Sequence, residues 1–316
     1  MPSPVIVAVV GATASGKTGL SLDLATRLGG EIVNTDAMQL YRGMDIGTAK
    51  LAVGERRVPH HLLDTLSVRE PATVAQFQSW ARAAIDEIRA KGRNPVLVGG
   101  SALYTRAVLD AFTFPGTDPV VRAQLEADLA QSSPAAMHAR LASLDPAAAA
   151  AILPENGRRI VRALEVIELT GEYRAVLPEP AYVDQRTVQL GLSIDRAVLS
   201  ERIERRVEAM FAAGFVGEVE RLLSEGLAEG RTASTAIGYR EVMAHLRGEL
   251  SLEEARERTV VATRRFARRQ DQWWRRDPRI VWLPHDAPDL IERAVEAVSA
   301  VDHVERRTGT GSTEAH

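Results

Sequence analysis

Hydrophobic positions in this chain fall into short unbroken runs, separated by longer stretches of mixed polarity. Residues 5–10 are Val-Ile-Val-Ala-Val-Val and end at Gly11. A run with no polar face suits a strand buried on both sides of a parallel sheet. Lys17 to Leu28 reads as a helix stopped by Gly29-Gly30. Glu31-Ile32-Val33 predicts a second short strand, ended by Asn34-Thr35-Asp36. A helix is expected over about Val74 to Ala90, closed by Gly92, and another buried strand over Pro95 to Val98, running into Gly99-Gly100. Ser101 is read as the cap of a helix reaching about Asp110. Strand and helix alternate in the manner of a doubly wound α/β domain.

The pattern changes after Phe112. Pro115-Gly116-Thr117-Asp118-Pro119 reads as a linker, and 119–172 is Ala-rich and helical with no strand candidate. Pro178-Glu179-Pro180 is a second break, after which 188–194 returns as a strand. The economical reading is an α/β core formed by 1–112 and 187–304, with a small all-helical domain, 113–186, inserted into it. The longest later helix is expected over Leu252 to Arg275, a last strand over Ile280 to Leu283, and a helix over about Ala287 to Val301. Residues 305–316 are polar and expected to be disordered. A length of 316 residues accommodates two domains of this kind.

Composition narrows the class. At 45% hydrophobic and 26% charged residues the chain is an ordinary globular protein. It has no cysteine, which excludes a disulfide scaffold, an iron–sulfur cluster and a thiol nucleophile. No apolar run reaches the ~18 residues of a membrane span. The start runs from Met1 straight into the first strand without a basic leader, so a cytoplasmic enzyme is expected. The net charge is −3, and 39 − 3 = 36 of the basic residues are Arg, since Lys occurs only at 17, 50 and 91.

Gly11-Ala12-Thr13-Ala14-Ser15-Gly16-Lys17-Thr18 matches G-x-x-x-x-G-K-[ST] and lies between a predicted strand and helix. Glycines let amides point inward at phosphate oxygens, and the helix N-terminus adds partial positive charge. Lys17 adds a full charge, and the Thr18 hydroxyl can ligate Mg²⁺ through the bound phosphates. The predicted fold is therefore a P-loop NTPase-like parallel sheet flanked by helices. A motor-type NTPase also needs an acid after a second buried strand. Here that strand meets Gly99-Gly100-Ser101 instead. Small kinases, and other enzymes that grip a pyrophosphate, remain.

Asp36 follows the second strand, at the sheet end where ligands bind. It reads equally as a proton acceptor beside a polyphosphate or as a turn residue. Asp36 to Lys50 has no clear period and suits a binding loop. Pro59-His60-His61 invites a metal reading, but no third histidine or cysteine accompanies it. Between Arg256 and Arg279 stand nine Arg against Glu257, Asp271 and Asp277, a balance of +9 − 3 = +6. At about 100° per residue, Arg265, Arg269, Gln272 and Arg276 share an arc of about 60°. A basic helical stripe reads as nucleic-acid contact or as a solvated face. Arg158-Arg159-Ile160-Val161-Arg162 is a second basic cluster, and two such elements flanking a pyrophosphate site favour RNA.

Taken in order, these segments resemble the bacterial type of the tRNA dimethylallyltransferase (tRNA isopentenyltransferase) family. The resemblance runs from Val5 to about Arg276. It rests on the phosphate loop, on Asp36 to Lys50, on Pro59 to Leu62 and on Gly99-Gly100-Ser101-Ala102-Leu103-Tyr104. Arg158 to Glu165, Ala236-Ile237-Gly238-Tyr239-Arg240-Glu241 and Thr263 to Gln270 complete it. Ser101-Ala102 stands where Thr-Gly is commoner.

The resemblance implies transfer of a dimethylallyl group from dimethylallyl diphosphate to N6 of the adenosine 3′-adjacent to the anticodon. The tRNAs are those reading codons that start with U. It implies that Gly11, Thr13, Ala14, Ser15, Gly16, Lys17, Thr18 and Arg206 hold the donor diphosphate with Mg²⁺. Asp36 and Ser101 are the implied catalytic residues. Asp36, Ala37, Met38, Gln39, Ser101, Arg122, Arg158, Arg159, Ile160, Val161 and Arg162 are the implied tRNA contacts, with Arg265 and Arg269 from the basic helix. A monomer with no obligate protein partner and no membrane association is expected. The competing reading is a small-molecule kinase that uses the same loop for ATP.

Overall fold

The computed structural model describes residues 4–112, 114–173 and 178–309. The chain folds into two compact units, one formed by the residues up to Asp110 together with those from Tyr182 onward, the other by Ala111–Ala181.

The first unit is built on six parallel strands: β1 (Ile6–Val10), β2 (Glu31–Asn34), β3 (His60–His61), β4 (Pro95–Val98), β5 (Thr187–Ser193) and β6 (Ile280–Pro284). Their order is β3-β2-β4-β1-β5-β6, and every pairing is parallel. β1 is central and buried throughout because both faces of the sheet are covered. Val7 and Val9 face one layer with Leu20, Leu24, Ala294 and Val298, from α1 (Lys17–Leu28) and α12 (Leu290–Gly309). Ala8 and Val10 face the other layer, with Phe77 and Ile85 of α2 (Val74–Ala90), Val108 of α3 (Ala102–Leu109) and Trp274. This second layer also holds α9 (Phe215–Ser224), α10 (Tyr239–Leu246) and α11 (Leu252–Trp274); α8 (Arg196–Ala212) precedes them in the chain. The chain leaves β1 toward β2 on one side and returns as β5 on the other. The sheet order therefore switches at the carboxyl end of β1, where an open α/β sheet forms its ligand crevice.

Among its described residues the second unit holds four helices, α4 (Pro119–Gln131), α5 (Pro134–Leu144), α6 (Pro146–Ala150) and α7 (Gly157–Thr170). Asp118, Ser133 and Asp145 cap the first three, each followed by proline at the start of the helix, and Asn156 caps α7. Leu125, Met137, Leu141, Ile152, Ile160 and Leu164 fill its core.

Two expectations are corrected, and one element, β3, goes unannounced in the sequence because a two-residue edge strand carries no hydrophobic run. Tyr182 to Arg186, placed by sequence in the insertion, belong to the first unit, where Asp184 pairs with Arg89 at 2.5 Å and the Arg186 carbonyl accepts from Ile6 N. α12 continues to Gly309 through Glu305-Arg306-Arg307, good helix formers whose polarity alone suggests disorder. Residues 310–316 of the expected tail lie outside the described residues. Among the described residues, no helix is long and apolar enough to cross a membrane.

Candidate active site

The loop from β1 to α1 is shaped by its glycines. Gly11 and Gly16 sit at φ +137° and +106°, and a Cβ on Gly11 would approach the Leu192 carbonyl to 3.3 Å. Lys17 opens α1 with its side chain buried, its Nζ donating to the Ala12 carbonyl at 2.6 Å. Burial, reinforced by the nearby Arg206 charge, lowers its pKa to about 8, while Asp36 pulls the other way. Arg206, on α8, donates to Thr13 Oγ1 at 3.2 Å and to the Thr48 carbonyl at 3.3 Å. Among the described residues neither cation has a carboxylate within ion-pair distance. A buried lysine and a half-buried arginine without an anion mark a place for one. Of the arginines in this turn of α8, Arg206 reaches Thr13, whereas Arg205 is exposed.

The loop is braced from α11. Gln270 accepts from Thr13 N at 2.8 Å and donates to the Gly100 carbonyl at 2.9 Å. A Cβ on Gly100 would come 2.2 Å from its amide nitrogen, and one on Gly99 would come 2.4 Å from Thr35. The two glycines after β4 thus permit close packing where a motor NTPase carries its acid.

Asp36 is at once a turn residue and a cavity residue. Its amide donates to Asn34 Oδ1 and its Oδ1 accepts from Met38 N, both at 2.9 Å. It also lines two adjoining spaces. The first is the more polar and is lined by Thr13, Lys17, Thr18, Gln39, Arg206 and Gln270. The second is largely apolar and is lined by Met38, Val207, Met210, Phe215, Ile237 and Phe266, with Ala37 and Ser101 at its wall. Thr13, Asp36, Thr48 and Arg206 border both. Ser101 stands at the N-cap of α3, but its hydroxyl makes no capping bond, contrary to the sequence reading.

The remaining sequence candidates separate. Arg158 and Arg159 are exposed on α7. Ile160 and Val161 are 0% and 2% exposed and belong to the core of the helical unit, so their side chains are not a contact surface. Arg122 and Arg162 each reach the buried Glu165 at 2.6 Å, and Arg162 also donates to the carbonyls of Pro115 and Gly116. Their first role is to neutralise that carboxylate. Burial pushes Glu165 up, but the hydrogen bonds from the two guanidinium groups outweigh it and hold its pKa below the usual range.

The Arg256–Arg279 cluster also divides. Arg264 pairs with Glu204, Arg275 with Asp271, and Arg279 with Asp110 and Asp277. Arg265, Arg268, Arg269 and Arg276 are exposed and, among the described residues, carry no ion pair. Arg269 lies 5.9 Å over the Phe266 ring. His60 Nδ1 meets the Val58 carbonyl at 2.8 Å and His61 Nε2 meets Glu31 at 2.7 Å. No group of three or more His, Cys, Asp or Glu able to hold a metal occurs among the described residues.

Residues 39–277 match the family model described as IPP transferase. The chain is 72% identical over 297 residues to the tRNA dimethylallyltransferase of a Nocardioides species, covering 93% of this chain and 96% of that relative. It is 61% identical to the tRNA dimethylallyltransferase of Salinispora arenicola, over 93% of this chain and 86% of that one. The chain belongs to the tRNA dimethylallyltransferase family. A solved tRNA isopentenylpyrophosphate transferase from Bacillus halodurans superposes with a TM-score of 0.71 at 39% identity, covering 96% of this chain and 99% of that one. For a tRNA dimethylallyltransferase, a phosphate loop that opens into an apolar cleft and lacks the metal-holding acid is the coherent arrangement. The small-molecule kinase reading falls with it. One residue of this site, Gln270, escapes a reading of the sequence, where it stands out only as the end of a motif.

Proposed function

We propose that this chain transfers a dimethylallyl group from dimethylallyl diphosphate to N6 of the adenosine 3′-adjacent to the anticodon, in tRNAs reading codons that start with U. The products are N6-isopentenyladenosine and diphosphate. The observation that carries this reading is the junction of the two spaces at Asp36. The polar side offers Lys17 and Arg206 to a diphosphate, and the apolar side suits an isoprenoid chain and a flipped base.

In the reaction, the bond from donor carbon 1 to the diphosphate oxygen breaks and a bond from N6 to carbon 1 forms. N6 is a weak nucleophile because its lone pair is delocalised into the ring. Its proton passes to Asp36. Oδ1 of that residue is already occupied by Met38 N, so Oδ2 is the oxygen open to it. Ser101 stands on the same wall and presents a hydroxyl to the base. Charge that grows on the departing diphosphate is met by Lys17, Arg206 and the loop amides. Magnesium fits beside them, because the Thr18 hydroxyl is a hard oxygen donor lining the same space. When bound, it neutralises diphosphate charge. The exposed arginines of α11, with Arg158 and Arg159, are the contacts offered to the anticodon stem-loop. A monomer that acts in the cytoplasm without an obligate protein partner completes the proposal.

A paired assay tests the reading. Purified protein, Mg²⁺ and unmodified tRNA are incubated with labelled dimethylallyl diphosphate or with labelled ATP. Isoprenoid label is expected on tRNA. ATP consumption without isoprenoid transfer would overturn the proposal.

A further inference from the structure

Asp36 to Lys50 is the least periodic stretch of the chain, and the reading so far uses only its first four residues. The middle of it is held by a buried carboxylate. Glu218, on α9, is 7% exposed. One of its oxygens accepts from Asp45 N at 3.1 Å and from Ile46 N at 2.7 Å. The other accepts from Gly47 N at 3.2 Å and from the Tyr239 hydroxyl at 2.6 Å. Three consecutive amides and a phenol saturate the carboxylate, and among the described residues no cation pairs with it. It holds backbone rather than balancing a charge.

The next residue in the chain is Thr48. Its carbonyl accepts from Gln39 Nε2 at 3.1 Å and from Arg206 Nη2 at 3.3 Å. The other bond of Arg206, to Thr13 Oγ1, is also long and neutral at 3.2 Å. The aim of this half-buried cation therefore depends on where the Thr48 carbonyl sits. That position follows from the three amides before it. The segment also lies flat against aromatic rings, since a Cβ on Gly47 would come 2.3 Å from Phe215 and 2.5 Å from Tyr239. Arginine binds a phosphate strongly only when its fork is correctly placed.

We infer that Glu218 is a positioning residue for the donor diphosphate, fixing Arg206 over the phosphate space through residues 45–48. The inference rests on the reading of that space as the donor site.

The test is a double-mutant cycle read in inorganic pyrophosphate binding by calorimetry, with steady-state kinetics alongside. Glu218→Gln keeps the size but turns an NH₂ toward two donors, so one pair of bonds to the loop is lost. It should weaken pyrophosphate binding and raise donor KM about tenfold, the scale of one charged hydrogen bond, with kcat and tRNA KM within about threefold. Arg206→Gln should weaken pyrophosphate binding by as much or more. The double variant should be no weaker than Arg206→Gln alone. Independent, additive losses would overturn the inference, as would a Glu218→Gln protein that is less stable but binds pyrophosphate normally. Should Glu218→Gln not fold, Tyr239→Phe, which removes one donor to the same carboxylate, should show the same non-additive pattern at about threefold. Additivity there would overturn it too. A wild-type protein that binds no pyrophosphate would defeat the donor-site reading itself, and the inference with it.

Discussion

At the scale of single residues, the proposed chemistry rests on Asp36. It serves two hydrogen-bonded turns and still borders both spaces, so its turn role leaves room for the proposed catalytic one. Asp36→Ala should lower kcat by about 10²–10⁴, the usual loss for a general base, with tRNA affinity nearly unchanged. Equal losses in turnover and tRNA binding would remove its role as base. Lys17 gives the site a pH dependence. Its folded pKa is lowered to about 8, so the free enzyme carries the charge below pH 8 and loses it above. A donor diphosphate needs that charge. Donor kcat/KM should therefore be flat up to about pH 7.5 and fall as pH rises through 8 and beyond. Lys17→Gln should abolish that basic limb while lowering the plateau. A basic limb that survives in Lys17→Gln belongs to another group.

At the scale of elements, α11 does two jobs with two faces. Gln270 reaches inward to Thr13 and Gly100, while Arg265 and Arg269 are exposed and carry no ion pair among the described residues. Replacing both arginines by alanine should weaken tRNA binding and reduce its salt slope by roughly one unit per arginine. Donor affinity, measured with pyrophosphate, should not move. An unchanged salt slope would return this stripe to an ordinary solvated face. These elements also show what a sequence discloses. β1, α1, β2, α2 and β4 are legible because each pairs an unbroken or periodic apolar pattern with a glycine or cap at its end. β3 is not, because two residues carry no pattern. The phosphate loop, Asp36 and the α11 stripe are legible as local motifs. Glu218 and Gln270 are not, because each acts on residues 170 or more positions away and neither sits in a chemical motif of its own. The basic run at 158–162 misleads in part. Charge without helical phase points the whole run outward, and the phase of α7 turns Ile160 and Val161 into the core.

On the scale of the molecule, the chain uses its charges more for architecture than its Arg content suggests. Glu165 is fully buried in the helical unit between Arg122 and Arg162, and Asp110 and Asp277 share Arg279 in the α/β unit. Because the folded pKa of Glu165 lies below its unfolded value, its contribution is present above about pH 4.5 and is lost as pH falls through the folded value. Melting curves from pH 6 to pH 3 should show acid destabilisation that is reduced in Glu165→Gln. At neutral pH the same variant should be less stable by about 3 kcal/mol, the cost of breaking a buried pair. A variant as acid-sensitive as the wild type would assign that loss to other carboxylates.

The most direct test of the account is the position of the product on the tRNA. Unmodified tRNA is incubated with the enzyme, Mg²⁺ and dimethylallyl diphosphate, digested with nuclease, and its fragments are analysed by mass spectrometry. The account predicts a single added dimethylallyl group, on N6 of the adenosine 3′-adjacent to the anticodon, formed at least about 100-fold more slowly by the Asp36→Ala enzyme. A group on another nucleotide, or one transferred equally well without Asp36, would contradict it.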